Sequence, residues 1–274
     1  MSAVRLGRRS AALLCAAALL GVVSFGWPLL ASPGSGIADH GEAPWVFALL
    51  LPLALGLVLA QVSEGGLDAK AVAALGVLSA LGAAVRPLGA GTAGVETVFF
   101  VLVLGGRVFG PGFGFVQGCT TLFASALLTG GVGPWLPYQM FGAAFVGLGA
   151  GLLPRCRGRL ELALLATYGA VAGLAYGLLL NLSFWPFSLG GGTDVSFVPG
   201  DAVAENLQRF LAFTVATSMG WDVGRAVTTA VLVVATGPVL LRVLRRAARH
   251  ASFTTTGAFA VAPQKELAAP SSAR

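Results

Sequence analysis

Charge is what this sequence has least of. Only 10% of its 274 residues are Asp, Glu, Lys or Arg, against the roughly 25% that soluble domains carry. With 56% hydrophobic residues and a mean hydropathy of +0.85, too little polar surface exists to cover an exterior that faces water. The lipid bilayer accepts such a chain, as a multi-pass, all-α integral membrane protein. Cysteine is also scarce. Cys15, Cys119 and Cys156 show neither metal-ligand spacing nor a disulfide framework, and read as small buried hydrophobes. The two histidines, His40 and His250, fall in loops on opposite sides of the membrane, and no H-E-x-x-H or G-x-S-x-G occurs. An intramembrane hydrolase would need such groups, so an enzyme is not expected, nor a metal or cofactor. The G-x-x-x-x-G-K-S/T phosphate loop is missing too, so nothing indicates that the chain hydrolyses ATP itself. Mid-span carboxylates are lacking: Glu96, Glu161 and Asp222 all sit near span ends. Coupling to an ion gradient usually needs acidic groups inside spans, which favours a partner motor.

Apolar runs are what the sequence has in abundance. Taking about 20 residues as one crossing, eight spans are expected at 11–31, 45–62, 71–86, 95–109, 112–129, 138–154, 160–181 and 222–243. The first follows Arg5, Arg8 and Arg9 as a signal peptide would, but it is longer than a usual signal core and reads as a retained anchor. The boundaries follow: a two-helix N-terminal membrane extension over 1–62 and a cytoplasmic linker over 63–70. A six-helix core spans 71–250, and a disordered cytoplasmic tail 251–274.

Orientation comes from the cations. With eight crossings and a cytoplasmic N-terminus, Arg5, Arg8, Arg9, Lys70, Arg107, Arg155, Arg157, Arg159, Arg242, Arg245, Arg246, Arg249, Lys265 and Arg274 lie inside. Only Arg86, Arg209 and Arg225 lie outside. That division, 14 against 3, satisfies the positive-inside rule. It also makes 203–219 an outer-face or re-entrant helix, because a crossing there would put Arg242 to Arg249 outside. The net charge of +6 therefore reflects topology and lipid, and nucleic acid is not an expected partner.

Candidate ligand-binding residues gather at the outer ends of the spans. Arg86 and Glu96 flank the external turn 87–95, where they pair with one another or meet a ligand. Asp222 and Arg225 share a helix face at i and i+3, as a surface pair or as ligand contacts. Trp135, Tyr138 and Gln139 stand at one outer loop, and Tyr176, Asn181 and Trp185 at another. Interfacial rings are common in membrane proteins. Amides are more telling, because burying one without a partner costs a few kcal/mol. Gly76, Ala80 and Ala84, at i, i+4 and i+8, form a stripe of small residues that lets another helix approach closely.

Three stretches then carry a resemblance: the alanine-rich helix 68–86, the turn Leu104-Gly105-Gly106-Arg107-Val108-Phe109-Gly110-Pro111-Gly112-Phe113-Gly114, and Gly220-Trp221-Asp222-Val223-Gly224-Arg225-Ala226. In this order and spacing, residues 69–249 resemble the substrate-binding S components of energy-coupling factor (ECF) transporters. The family's basic form has six helices, so the N-terminal pair departs from it. The resemblance implies a subunit in a bacterial cell membrane, both termini cytoplasmic, that captures a vitamin-like small molecule at the outer face. A cobalamin-like corrinoid is the favoured ligand. A transmembrane coupling subunit, docking on the stripe that contains Ala80 and Ala84, and two cytoplasmic ATPase subunits would drive import. The competing readings are a small ion-coupled carrier and a structural membrane subunit without a ligand.

Overall fold

A computed structural model describes residues 8–30, 69–89, 92–188 and 192–252, with isolated positions between 49 and 59. The expected span 45–62, most of the linker 63–70, the external loop 32–44 and the tail lie largely or wholly outside the described residues. Within those residues every regular element is helical. Helix α1 spans Arg8–Phe25, followed by the single turn α2, Trp27–Leu30. Helix α3, Ala69–Val85, runs on into a 3-10 turn, Arg86–Gly89. Then come α4 (Phe99–Phe109), α5 (Pro111–Thr129), α6 (Leu136–Leu152), α7 (Gly158–Ser188), α8 (Val203–Thr217) and α9 (Met219–Ser252). Five helical stretches, Arg8–Phe25, Lys70–Gly89, Pro111–Thr129, Gly158–Phe187 and Met219–Arg249, are long and apolar enough to cross a membrane.

Most of these helices show large apolar side chains to the outside, such as Val72 and Val77 on α3 and Val231, Val234 and Val239 on α9. In water that would be a liability; in lipid it is the surface the protein needs. Helix α4 is the exception, with nine of its eleven residues buried, from Phe99 to Phe109. It is the axis on which the others pack. Phe99, Leu102, Leu104, Phe113, Phe115, Phe141 and Leu165 form the densest part of the core.

Tight turns set the up-and-down course. A single residue, Gly110, separates α4 from α5; its φ of +107° is open to glycine at little cost. Gly130, at φ +67°, ends α5 in a left-handed cap. Helices α5 and α6 then approach until backbone meets backbone. A Cβ on Gly114 would strike the Gly147 carbonyl, and one on Gly147 would strike that of Gly114. Small residues permit this contact, which supplies packing energy where lipid removes the hydrophobic incentive.

Two ends can be told apart by contacts. Phe25 lies 5.5 Å from the Tyr138 ring at the start of α6, and the Trp27 indole donates to the Ser183 carbonyl near the end of α7. The Arg8 end of α1 therefore lies with the α4–α5 turn, the 153–158 turn and the last turns of α9. Arg8, Arg9, Lys70, Arg107, Arg155, Arg157, Arg159, Arg242, Arg245, Arg246 and Arg249 gather there. Arg86, Arg209 and Arg225 are at the opposite end. Helix α8 covers that second end: Phe210 lies 5.6 Å from the Trp185 ring and Phe197 5.4 Å from it. It is not among the helices long and apolar enough to span.

Helices α7 and α9 run past their expected ends at 181 and 243, to Ser188 and Ser252, and a third span starts late. The run 95–109 is helical only from Phe99, giving a helix of about 16 Å at 1.5 Å per residue. That is about half of a 30 Å hydrocarbon core. Residues 95–98, expected as the first turn of this span, are non-helical, like 92–94 before them.

Candidate functional site

Irregular backbone at membrane depth is tolerated where protein encloses it or where it lines a cavity. In segment 92–98, Gly94 and Val98 are buried, and Gly94, Val95 and Glu96 line a cavity. Thr97 Oγ1 donates to the Val85 carbonyl and Val95 N–H to the Thr92 carbonyl, which turns the chain inward. Ala93 at φ +38° and Gly94 at φ +77° hold the bend; a non-glycine residue in this region costs of order 1 kcal/mol or more. Gly89, Gly94 and Gly224 make the fit possible, since a Cβ at any of them would run into backbone of Val95, Trp221 or Ala93. The segment is thus wedged between the 3-10 turn and the start of α9.

Beside it opens a cavity of about 300 Å³, lined by Arg86, Pro87, Gly89, Gly94, Val95, Glu96, Ser125, Thr129 and Trp221. Two of these, Arg86 and Glu96, are among the residues expected from the sequence, but they do not pair with each other. Arg86 Nη1 donates to Ser125 Oγ and Nη2 to Gln139 Oε1, each at 3.3 Å. Glu96 accepts from Arg225 Nη2 at 2.8 Å, across 129 positions of sequence. The reason is geometric: α4 begins deep in the bundle, so the Glu96 side chain reaches the first turns of α9.

Arg225 is more than a surface pair with Asp222. Its side chain is only 9% exposed and that of Asp222 4%, with Nη1 to Oδ1 at 2.6 Å. Nη1 also donates to the Gly173 carbonyl, and the guanidinium stands over the Tyr176 ring at 5.2 Å. Asp222 accepts from Ser218 Oγ at 3.4 Å, and Asn181 Nδ2 donates to the same hydroxyl. Asn181, Ser218, Asp222, Arg225 and Glu96 thereby form one polar chain ending at the cavity wall. Five expected residues (Glu96, Tyr176, Asn181, Asp222, Arg225) belong to it or pack on it, and Arg86 and Gln139 meet it across the cavity.

Three expected residues stand apart. Trp135 is exposed, and its indole donates to the Gly131 carbonyl within its own turn. Tyr138 is buried between Phe25 and Phe184, with no hydrogen-bond partner for its hydroxyl. Trp185 donates to the Val195 carbonyl at 2.7 Å and anchors the cap beneath α8. None of them lines the cavity. The small-residue stripe Gly76, Ala80, Ala84 lies exposed along α3, and nothing stands within 4 Å of a Cβ placed on Gly76.

Sequence reasoning missed Ser125, Thr129, Trp221 and Ser218. A signal for two of them was present: Gln117, Thr121, Ser125 and Thr129 recur every fourth residue, a polar stripe along a mostly apolar α5. The first three are fully buried, and Gln117 Oε1 and Thr121 Oγ1 have no partner. The stripe runs from the cavity into the core.

The opposite end is held by ion pairs. Glu161 Oε1 accepts from Arg107 Nε at 2.7 Å and from Arg245 Nη2 at 2.6 Å, with the Arg107 and Glu161 side chains 7% and 3% exposed. Arg107 Nη1 also donates to the Leu153 and Pro154 carbonyls, satisfying the end of α6. Among the described residues no group of three or more His, Cys, Asp or Glu side chains is placed to hold a metal ion.

Fold and site define the class: a multi-pass helical membrane protein, bolted by ion pairs at one end and hollowed by a polar-edged cavity at the other. No family model, curated protein or solved structure matches the chain.

Proposed function

We propose that this chain is the ligand-capturing subunit of an importer of the energy-coupling factor kind. It sits in the bacterial cell membrane with eight crossings, six of them in the binding core, and both termini in the cytoplasm. The observation that carries this reading is the cavity beside Arg86 and Glu96, lying at the end that holds the fewest cations. By the positive-inside rule that end faces outward, where a nutrient arrives. The arginine-rich end, bolted by Glu161, faces the cytoplasm. A vessel of this form needs a motor, and neither a phosphate loop nor mid-span carboxylates supply one. A transmembrane coupling subunit and two ATPase subunits would do so, docking on α3 along Gly76, Ala80 and Ala84.

Purification of the tagged chain from its own membranes in mild detergent tests the proposal. Recovery of a membrane subunit together with ATPases is expected, and its loss on Ala84→Trp while the subunit stays folded. Ligand uptake by the chain alone, in cells lacking those ATPases, would contradict it.

A further inference from the structure

Cations inside this protein follow a rule with one exception. Arg107 and Arg245 share the Glu161 carboxylate, and Arg225 holds Glu96 and Asp222. Arg209, at the surface, holds Asp201 at 2.7 Å. Arg86 is half-buried in a cavity wall, yet among the described residues no carboxylate lies within ion-pair distance of it. Its two bonds go to neutral oxygens and are long, 3.3 Å each. A guanidinium has five N–H donors in a planar fork suited to carboxylate or phosphate. Three of the five are left over. A half-buried guanidinium with donors to spare and no counter-charge is suited to receive an anion.

The opposite wall supplies the complement. Glu96 is 30% exposed, and one of its oxygens is occupied by Arg225. The other carries no bond, and an N–H or O–H of a bound molecule can meet it. Between Arg86 and Glu96 stand the Ser125 and Thr129 side chains and the Trp221 ring, 46% exposed. The volume, about 300 Å³, lies at the lower end of small-molecule sites, about 300–1,000 Å³. It suits a ligand far smaller than a corrinoid.

We infer that the occupant is a small water-soluble molecule bearing a carboxylate or phosphate that Arg86 receives, with a hydrogen-bond donor directed at Glu96. This inference rests on the capture reading and adds the ligand's chemistry to it.

The test is to purify the full chain from cells grown in rich medium, extract what it carries into aqueous and organic phases, and identify both by mass spectrometry. Wild type is expected to carry a water-soluble anion near one per chain. Arg86→Gln should lower its retention at least tenfold, Arg86→Lys severalfold, and Arg209→Gln not at all. If Arg86→Gln does not stay monodisperse, Arg86→Lys carries the comparison. A neutral or cationic passenger, an anion that the Arg86 variants retain in full, or an anion recovered only as phospholipid would overturn the inference while leaving capture intact. A wild-type protein that carries nothing would count against capture itself, and the inference would fall with it.

Discussion

The two ends of this molecule solve the same problem differently. At the arginine-rich end, Arg107 and Arg245 close on one oxygen of Glu161, and Arg107 also donates to the carbonyls just past α6. At the opposite end, Arg225 is compensated by Glu96 and Asp222, but its Nε has no partner, and no carboxylate among the described residues pairs with Arg86. Helix α4 begins only at Phe99, and a cavity lies beside the irregular residues that precede it. Full compensation makes a bolt; incomplete compensation beside irregular backbone makes a site. Buried polar groups without partners are costly where nothing hydrates them, and Thr121 and Arg225 place two of them near the cavity.

Breaking the bolt is expected to have the largest effect. Glu161→Ala leaves two arginines facing each other, one nearly buried, at a cost of about 3–5 kcal/mol. Glu96→Ala removes a partly exposed partner and leaves Asp222 on Arg225, so a smaller loss of about 1–2 kcal/mol is expected. Equilibrium unfolding in mixed micelles reads both, and equal losses would erase the contrast between the ends.

Next in size are two amides that sequence alone treats alike. Gln139 steadies Arg86 at the cavity, whereas Asn181 bonds Ser218 at the far end of the polar chain. Gln139→Ala is expected to weaken ligand binding tenfold or more, about 1.4 kcal/mol. Asn181→Ala should cost less than half of that. Titration of the purified variants with the passenger identified by mass spectrometry decides; a larger effect at Asn181 would move the site towards Ser218.

The smallest effect should be at the outer rim. The hydrogen bond from Arg209 holds the Asp201 carboxyl below its ordinary range. A carboxyl with a lowered pKa contributes above its unfolded value and loses that contribution as pH falls through the folded one. Asp201→Asn should therefore leave stability at neutral pH nearly unchanged and abolish only a slight sensitivity in acid. A marked loss at pH 7 would show that the rim matters more than this account allows.

Much of the fold was legible because lipid makes few demands on sequence beyond apolar length. Helices α5 and α6 begin and end within a few residues of expectation; α7 and α9 begin so but run on seven and nine residues further, and Gly110, Gly130 and Gly158 mark the turns. The broken crossing was not legible. Residues 95–98 read as the start of a span, and what bends the chain there is a glycine fit against α9 that only the folded chain shows. Pairing failed for the same reason: Arg86 and Glu96 are neighbours in sequence, but the partner of Glu96 is 129 positions away. The stripe from Gln117 to Thr129 was there to be read, since four polar residues at helical spacing in an apolar run are uncommon without a purpose.

Access from one side tests the central claim most directly. In a background with Cys15, Cys119 and Cys156 replaced by serine or alanine, Thr129→Cys places a thiol on the cavity wall and Arg157→Cys one at the bolted end. A membrane-impermeant maleimide applied to intact cells should label Thr129→Cys, and less so with bound ligand, and leave Arg157→Cys unlabelled until the membrane is opened. Labelling of Arg157→Cys from outside, with Thr129→Cys protected, would contradict the account.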